Sequence, residues 1–137
     1  MLKISFDFDG TLEFKDVQEY AKELIERGYN VCILTTRYSD PSKYNFDATE
    51  QYKYFYDVAN ELGITEIHFT EYQFKFNHID KFNIDIHLDD NFRDEVFAIN
   101  DRCKAKAILY RDYKWKDKME EEIKKLEGIK NEKNDSN

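Results

Sequence analysis

Short apolar segments alternate with longer amphipathic segments along most of this chain. The first apolar segment, residues 2–6, alternates apolar with polar side chains, as strands do. The second, residues 30–34, lacks this alternation, which is typical of a strand covered on both faces of a sheet. Three further strands are predicted at residues 66–69, 84–88 and 105–109.

Apolar side chains at helical spacing predict a helix after each of these strands. Gly28 and Gly63 follow the first two helices, and glycine is a common residue at the end of a helix. Residues 38–46 include Pro41, the only proline of the chain, and are predicted to form a loop. The predicted helices cover residues 16–27, 47–62, 78–82, 92–102 and 114–126.

The order of these elements predicts the fold. Because strands alternate with helices, right-handed crossovers would make the strands parallel and cover both faces of the sheet with helices. We therefore expect an α/β fold, a Rossmann-like three-layer sandwich around a central parallel five-stranded sheet. One domain is expected over residues 1–128, followed by a disordered, polar tail over residues 129–137.

Composition narrows the class of protein. The formal net charge of −8 disfavours a nucleic-acid partner, although a terminal phosphate needs few basic contacts. Cys32 and Cys103 have no motif spacing and are predicted to be free thiols in a reducing cytoplasm. The sequence shows neither a signal peptide nor an apolar run long enough to span a membrane, so a cytoplasmic protein without a membrane partner is expected.

Polar side chains collect where the predicted strands end. They are Asp7, Asp9 and Thr11 after the first strand, Thr35, Thr36 and Arg37 after the second, Lys75 in the connector after the third, and Asp89 and Asp90 after the fourth. Because the carboxyl ends of parallel strands lie at one edge of the sheet, we expect these groups to meet there. Carboxylates gathered at one edge repel one another unless a cation relieves them, and such oxygen ligands suit Mg²⁺ better than zinc.

In order and spacing, these groups resemble the four motifs of the haloacid dehalogenase (HAD) superfamily. Residues 7–12, Asp-Phe-Asp-Gly-Thr-Leu, resemble its first motif, Asp-x-Asp-x-Thr. Thr35 at the end of an apolar strand, the lone Lys75 and the acidic pair at residues 89–90 resemble the other three, and the resemblance covers residues 2–110. An Asp two residues after the first resembles the phosphatase branch, and most members of the superfamily are Mg²⁺-dependent phosphatases.

The resemblance implies a phosphomonoester hydrolase in which Asp7 is the nucleophile and forms an aspartyl-phosphate. Asp9 would be the general acid and base, and its backbone carbonyl would bind Mg²⁺ together with Asp7 and Asp89. Asp90 would bind the metal directly or orient its waters. Thr11 would brace the loop rather than react.

Several roles remain open at this stage. Thr35 is predicted to bind a phosphoryl oxygen, with Thr36 as its rival. Lys75 is predicted to bind another, with Lys81 as its rival. Arg37 would bind a second phosphate of the substrate or pair with the carboxylates. His87 lies one residue before Leu88. It is predicted to be structural, or to contact the metal ligands without binding the metal itself.

The short connections imply that no sizeable cap domain covers the site. Such an open site would accept a large phosphorylated substrate or be closed over a small one by a second subunit, so a homo-oligomer is considered. Phosphate transfer to a hydroxyl, or removal of a nucleic-acid end phosphate, would use the same chemistry. A non-hydrolytic phosphoacceptor domain is also considered, but in receiver domains the acidic pair follows the first strand and the acceptor follows the third.

Overall fold

The computed structural model describes residues 1–135, with side chains through residue 132. Five parallel strands form one sheet, in the order β3-β2-β1-β4-β5. The strands are β1 (Lys3–Phe6), β2 (Asn30–Thr35), β3 (Ile67–Phe69), β4 (Ile86–Asp89) and β5 (Lys106–Leu109). The predicted α/β fold with a parallel five-stranded sheet, flanked by helices, is therefore confirmed.

Four α-helices are described along residues 1–135. They are α1 (Lys15–Glu26), α2 (Thr49–Leu62), α3 (Phe97–Arg102) and α4 (Trp115–Asp135). Two predicted helices differ: residues 92–102 divide into a wide turn, Phe92–Val96, followed by α3, and residues 78–82 form a short 3₁₀ turn at Ile79–Phe82. None of these helices has the length and apolar character needed to cross a membrane.

Helix α4 is longer than the sequence indicated. Its predicted end at residue 126 is wrong, because the helix continues to Asp135 and covers residues 129–135 of the expected tail. Residues 136–137 of that tail lie outside the described residues. Met119 and Ile123 bury one side of α4 against the core, and the Lys- and Glu-rich turns that follow have good helix propensity, so polarity alone did not end the helix.

Apolar side chains pack on both faces of the sheet because successive strand residues point to opposite sides. One core includes Phe6, Phe8, Leu24 and Phe55, together with the buried side of α4. The other core lies around Cys32, Leu34 and Ile79, with Ile99 and Ala107. This two-sided burial accounts for the apolar run in β2.

The strand order reverses at β1, and this reversal indicates where a ligand site is expected. β1 lies between β2 and β4, with Phe6 opposite Ile33 on one side and Leu88 on the other. The chain therefore leaves β1 toward one edge of the sheet and later returns to β4 on its other side. A crevice at the carboxyl ends of two such strands is the usual ligand site of an open α/β sheet.

Candidate active site

Asp7 and Asp89 meet at the reversal point because each ends its strand. The backbone N–H of Asp7, directly after β1, donates to the carbonyl oxygen of Leu88 at 2.9 Å. Asp89 is the last residue of β4. Both side chains are buried, so their carboxylates lie inside the protein at the carboxyl edge of the sheet. This is the placement that the strand order predicted.

Lys75 lies between these two carboxylates. Its Nζ donates to Asp7 Oδ1 at 2.8 Å and to Asp89 Oδ2 at 2.5 Å, and the residue is only 1% exposed. Burial by itself lowers the pKa of Lys75, but the two carboxylates outweigh that effect and raise the pKa above its usual value. The rival Lys81 is exposed and lies over the ring of Phe82, so Lys75 is the lysine that reaches the cluster.

The two carboxylates that share Lys75 differ in their affinity for a proton. Burial raises the pKa of Asp7 well above its usual value, and the charge of Asp89 adds to this effect against the opposing charge of Lys75. Burial also acts to raise the pKa of Asp89, but Lys75 and His87 overcome it and hold that pKa below its usual range. Of the two carboxyl groups, Asp89 is therefore the more readily ionised.

His87 contacts Asp89 from inside the sheet, and its role in supporting metal ligands stays a prediction. Its Nε2 lies 2.7 Å from Asp89 Oδ2, and its Nδ1 lies 2.6 Å from Ser5 Oγ. Burial lowers the pKa of His87, which favours the neutral ring. A neutral ring can donate from Nε2 to the carboxylate and accept the Ser5 hydroxyl at Nδ1, which fixes the orientation of Asp89.

Asp90 completes an acidic cluster with Asp7 and Asp89. Each of the three residues offers a carboxylate oxygen, and these oxygens lie within 4.8 Å of one another. Gly10 makes room for this arrangement, because a Cβ added there would stand 2.3 Å from Asp90 Oδ2, and its φ of +79° also favours glycine. Three carboxylates outnumber the positive groups beside them, so the cluster could hold a metal ion.

The side chains of Thr11 and Thr35 form hydrogen bonds within the protein, whereas Thr36 does so through its backbone. Thr11 is buried, and its Oγ1 donates to Asp7 Oδ2 at 3.2 Å, which fits the predicted bracing role. Thr35 Oγ1 accepts the backbone N–H of Arg37 at 3.2 Å and is also buried. Thr36 is half-buried, and its carbonyl oxygen accepts the backbone N–H of Tyr72 at 2.7 Å. Phosphoryl binding by Thr35 or Thr36 stays a prediction.

Asp9 is held apart from the acidic cluster by a bidentate ion pair with Arg37. Arg37 Nε and Nη2 donate to the two carboxylate oxygens of Asp9 at 2.8 and 2.7 Å, and Nη1 donates to the carbonyl oxygen of Gln51 at 3.1 Å. Of the two roles considered for Arg37, the structure has the pairing with a carboxylate. The Asp9 side chain remains 57% exposed, so it is the accessible member of the pair.

Aromatic rings fix the guanidinium of Arg37 in place. Its Cζ lies 5.2, 5.0 and 5.1 Å from the ring centres of Phe8, Tyr52 and Phe55, within the range of cation–π attraction. Arg37 is largely buried by these contacts. The sequence shows the aromatic residues of α2 at helical spacing but gives no sign that rings would surround an arginine.

Glu95 is a buried carboxyl group beside the site that the sequence analysis missed. It is 4% exposed, and its Oε2 has no hydrogen-bond partner among the described residues. Burial raises the pKa of Glu95 to about 7, and the charge of Asp89 adds to this effect although Lys75 opposes it. Ile99, one helical turn further on, is fully buried, and this spacing was the available signal that Glu95 faces inward.

A second group of possible metal ligands lies elsewhere, at Cys32, Glu66 and His68. Here the charges are already balanced, because Glu66 Oε2 accepts from Lys3 Nζ at 2.9 Å and lies 2.8 Å from His68 Nε2. Burial raises the pKa of the Cys32 thiol to about 12, so the thiolate that metal ions bind is disfavoured. The acidic cluster is the better metal candidate of the two.

No protein-family model matches this chain, and no curated protein matches it at a significant level. Function is therefore inferred from the geometry and chemistry of the site residues themselves.

The buried carboxyl of Glu95 predicts a pH-dependent stability. Its pKa in the folded protein, about 7, exceeds the ordinary value of 4.5, so the folded state holds this proton more tightly than the unfolded state does. Stability from this group is present at low pH and is lost as the pH rises toward 7. Relative to Glu95→Gln, the wild-type free energy of unfolding should fall by up to about 3 kcal/mol between pH 4.5 and 7.

Urea denaturation at pH 5 and pH 8 in the presence of a chelator measures this difference. Glu61→Gln, at an exposed position of α2, is the matched control and should follow the wild-type profile. If the free energies of unfolding of the wild type and Glu95→Gln changed in parallel across this pH range, the raised pKa assigned to Glu95 would be contradicted.

Proposed function

We propose that this chain is a Mg²⁺-dependent phosphomonoester hydrolase of the HAD type that works through an aspartyl-phosphate on Asp7. The supporting observation is the meeting of Asp7, Lys75 and the acidic pair at the carboxyl edge of the sheet, where the strand order reverses. A buried carboxylate, a buried ammonium and a further excess of acidic oxygen ligands are the groups that phosphoryl transfer through a carboxylate requires.

The donor set fits a hard divalent cation. Asp7, Asp89 and Asp90 would hold Mg²⁺, which supplies Lewis-acid neutralisation of the negative charge between the phosphate and the carboxylates. Lys75 contributes a second, permanent positive charge at the same place. His87 and Thr11 keep the two strand-end carboxylates in fixed orientations.

In the first half-reaction, a carboxylate oxygen of Asp7 attacks phosphorus and the bond between phosphorus and the ester oxygen breaks. Asp9, which takes up a proton from solvent when it separates from Arg37, gives that proton to the departing ester oxygen, so the alcohol leaves neutral. Lys75 donates to a phosphoryl oxygen and stabilises the charge that develops there. Asp9 must leave its ion pair with Arg37 to do this, and its exposed side chain allows the exchange.

In the second half-reaction, water attacks the phosphorus of the aspartyl-phosphate. Asp9 now takes a proton from that water, and the acyl-phosphate bond breaks to release inorganic phosphate and restore the Asp7 carboxylate. The same carboxyl group therefore serves as acid in one step and as base in the next. Asp7 and Asp9 perform different chemistry because one is buried beside Lys75 and the other is exposed beside Arg37.

Replacement of the nucleophile tests the central step. Asp7→Asn keeps the size of the side chain but cannot form the acyl-phosphate, so hydrolysis of every ester in a diverse phosphate panel should fall by roughly 10³-fold or more. Phosphate release in the presence of Mg²⁺ is the measurement, and Asp57→Asn on α2 is the matched control, with wild-type activity expected. Turnover by Asp7→Asn at the wild-type rate would contradict the mechanism, as would the absence of turnover in the wild type.

The proton role of Asp9 predicts a dependence on the leaving group. Asp9→Asn should lose about 10²- to 10⁴-fold in kcat/KM with alkyl phosphates, whose alkoxides need a proton, and much less with 4-nitrophenyl phosphate. The two losses are compared on the same enzyme preparation. Equal losses with both esters would show that Asp9 does not act as the proton donor.

Metal binding can be tested without activity. Mg²⁺ at tenfold its Kd should stabilise the wild type by about 1.4 kcal/mol, which corresponds to a rise in Tm of roughly 5 °C. Asp90→Asn should reduce the rise by removing a ligand charge. Glu66→Gln removes one carboxylate from the other cluster and should keep the full rise. An unchanged Tm in the wild type, or an equal rise in Asp90→Asn, would contradict the assigned site.

A further inference from the structure

An aromatic pocket opens beside the ion pair of Asp9 and Arg37. Its aromatic walls are Tyr44, Phe46 and the Tyr52 ring of α2, together with Tyr72, and its volume is about 200 Å³. The two charged residues line the same pocket. Ligand sites typically combine such apolar, aromatic walls with a few convergent polar groups.

The rings form one connected cluster around Tyr44. Its ring centre lies 5.1 Å from that of Phe46, 6.1 Å from that of Tyr52 and 5.8 Å from that of Tyr72, in tilted and edge-to-face arrangements. Phe46 is nevertheless 54% exposed, and Tyr72 is exposed to a similar degree. Aromatic surface left open around a concavity is available for a ligand ring in the same offset or edge-to-face geometries.

Contacts between separate segments hold the pocket in shape. Glu71 and Tyr72 have φ angles of 55° and 62°, in the left-handed region that non-glycine residues adopt at a cost of about 1–2 kcal/mol. The Glu71 carboxylate accepts the backbone N–H of Ser39 at 3.1 Å, and the hydroxyl of Tyr52 donates to the carbonyl oxygen of Tyr38. The part of the wall formed by Tyr52 and Tyr72 is therefore held by contacts within the protein, which lowers the entropic cost of ordering it on binding.

The position of Asp9 indicates which part of a substrate enters this pocket. In the proposed reaction Asp9 protonates the ester oxygen, so the group bonded to that oxygen must extend from Asp9. The pocket that Asp9 lines is the space beside it. At about 200 Å³ it is smaller than the usual site of a complete drug-sized ligand, so it suits a single ring system.

We propose that the aromatic pocket binds the leaving group, and that preferred substrates are small phosphate monoesters with a planar aromatic ring near the ester oxygen. This inference rests on the proposed phosphomonoesterase function for the direction of the substrate. Flat rings can stack against Tyr44 and Phe46, whereas saturated rings of equal size gain apolar burial alone.

Binding of non-hydrolysable analogues tests the pocket apart from turnover. Benzylphosphonate and cyclohexylmethylphosphonate have the same charge and nearly the same size, but only the first has a planar ring. With Mg²⁺ present, titration calorimetry on the wild type should show about three- to tenfold tighter binding of benzylphosphonate. Phe46→Leu and Tyr44→Leu should each remove most of this preference, while Phe97→Leu, an equally exposed phenylalanine on α3, should retain it.

Equal affinity for the two phosphonates, or a preference that survives both pocket variants, would overturn the proposal. A fold check by circular dichroism separates loss of preference from loss of structure, because a misfolded variant loses both ligands. The phosphonates bind without reacting, so these outcomes hold whether or not the protein hydrolyses an ester.

Turnover of matched esters then distinguishes two sources of the ring. A higher kcat/KM for benzyl phosphate than for cyclohexylmethyl phosphate supports a ring close to the ester oxygen. If the only preference is for a nucleoside 5′-monophosphate over ribose 5-phosphate, the ring lies beyond a sugar. That result would overturn the proposal that the ring lies near the ester oxygen. Selective phosphonate binding without hydrolysis of any ester would overturn the proposed phosphatase function but not the proposed ring binding in the pocket. Hydrolysis without a ring preference would overturn only the proposed ring binding.

Discussion

The ammonium group of Lys75 lies buried between carboxylates that belong to two different strands. Its hydrogen bonds to Asp7 and Asp89 join the ends of β1 and β4 at the point where the strand order reverses. Removal of one member of a buried ion pair typically costs about 3–5 kcal/mol, because the remaining charge is left without a partner. The three charged groups therefore depend on one another, and their ion pairs fix an ammonium group beside two carboxylates at the edge of the sheet.

The surrounding residues limit the freedom of this ion pair. His87 and Asp89 are two residues apart on one strand, so they point to the same side and can share a hydrogen bond. Thr11 reaches back to Asp7 across a tight turn, and Gly10 in that turn lets Asp90 approach. Side chains that are held at strand ends are more precisely positioned than side chains on loops.

The main features of the site follow from the sequence because a parallel sheet brings strand ends together whatever their distance along the chain. This reasoning predicted that Asp7 and Asp89 would meet and that Lys75 would join them. The ion pair between Asp9 and Arg37 was only one of two alternatives, because it depends on side-chain directions that element order does not determine. The inward direction of Glu95 was likewise decided by packing against the core, whereas the length of α4 reflects the helix propensity of its exposed Lys- and Glu-rich turns.

Under the proposed mechanism, the ion pair of Asp9 and Arg37 keeps the proton-transfer group occupied while no substrate is bound. Arg37 is held by three rings and by the carbonyl of Gln51, so the more mobile partner is Asp9. Under the proposed mechanism, its carboxylate stays engaged with Arg37 until an incoming ester draws it away. The occupant of the neighbouring pocket would then set the timing of proton transfer, which couples recognition of the leaving group to the onset of chemistry.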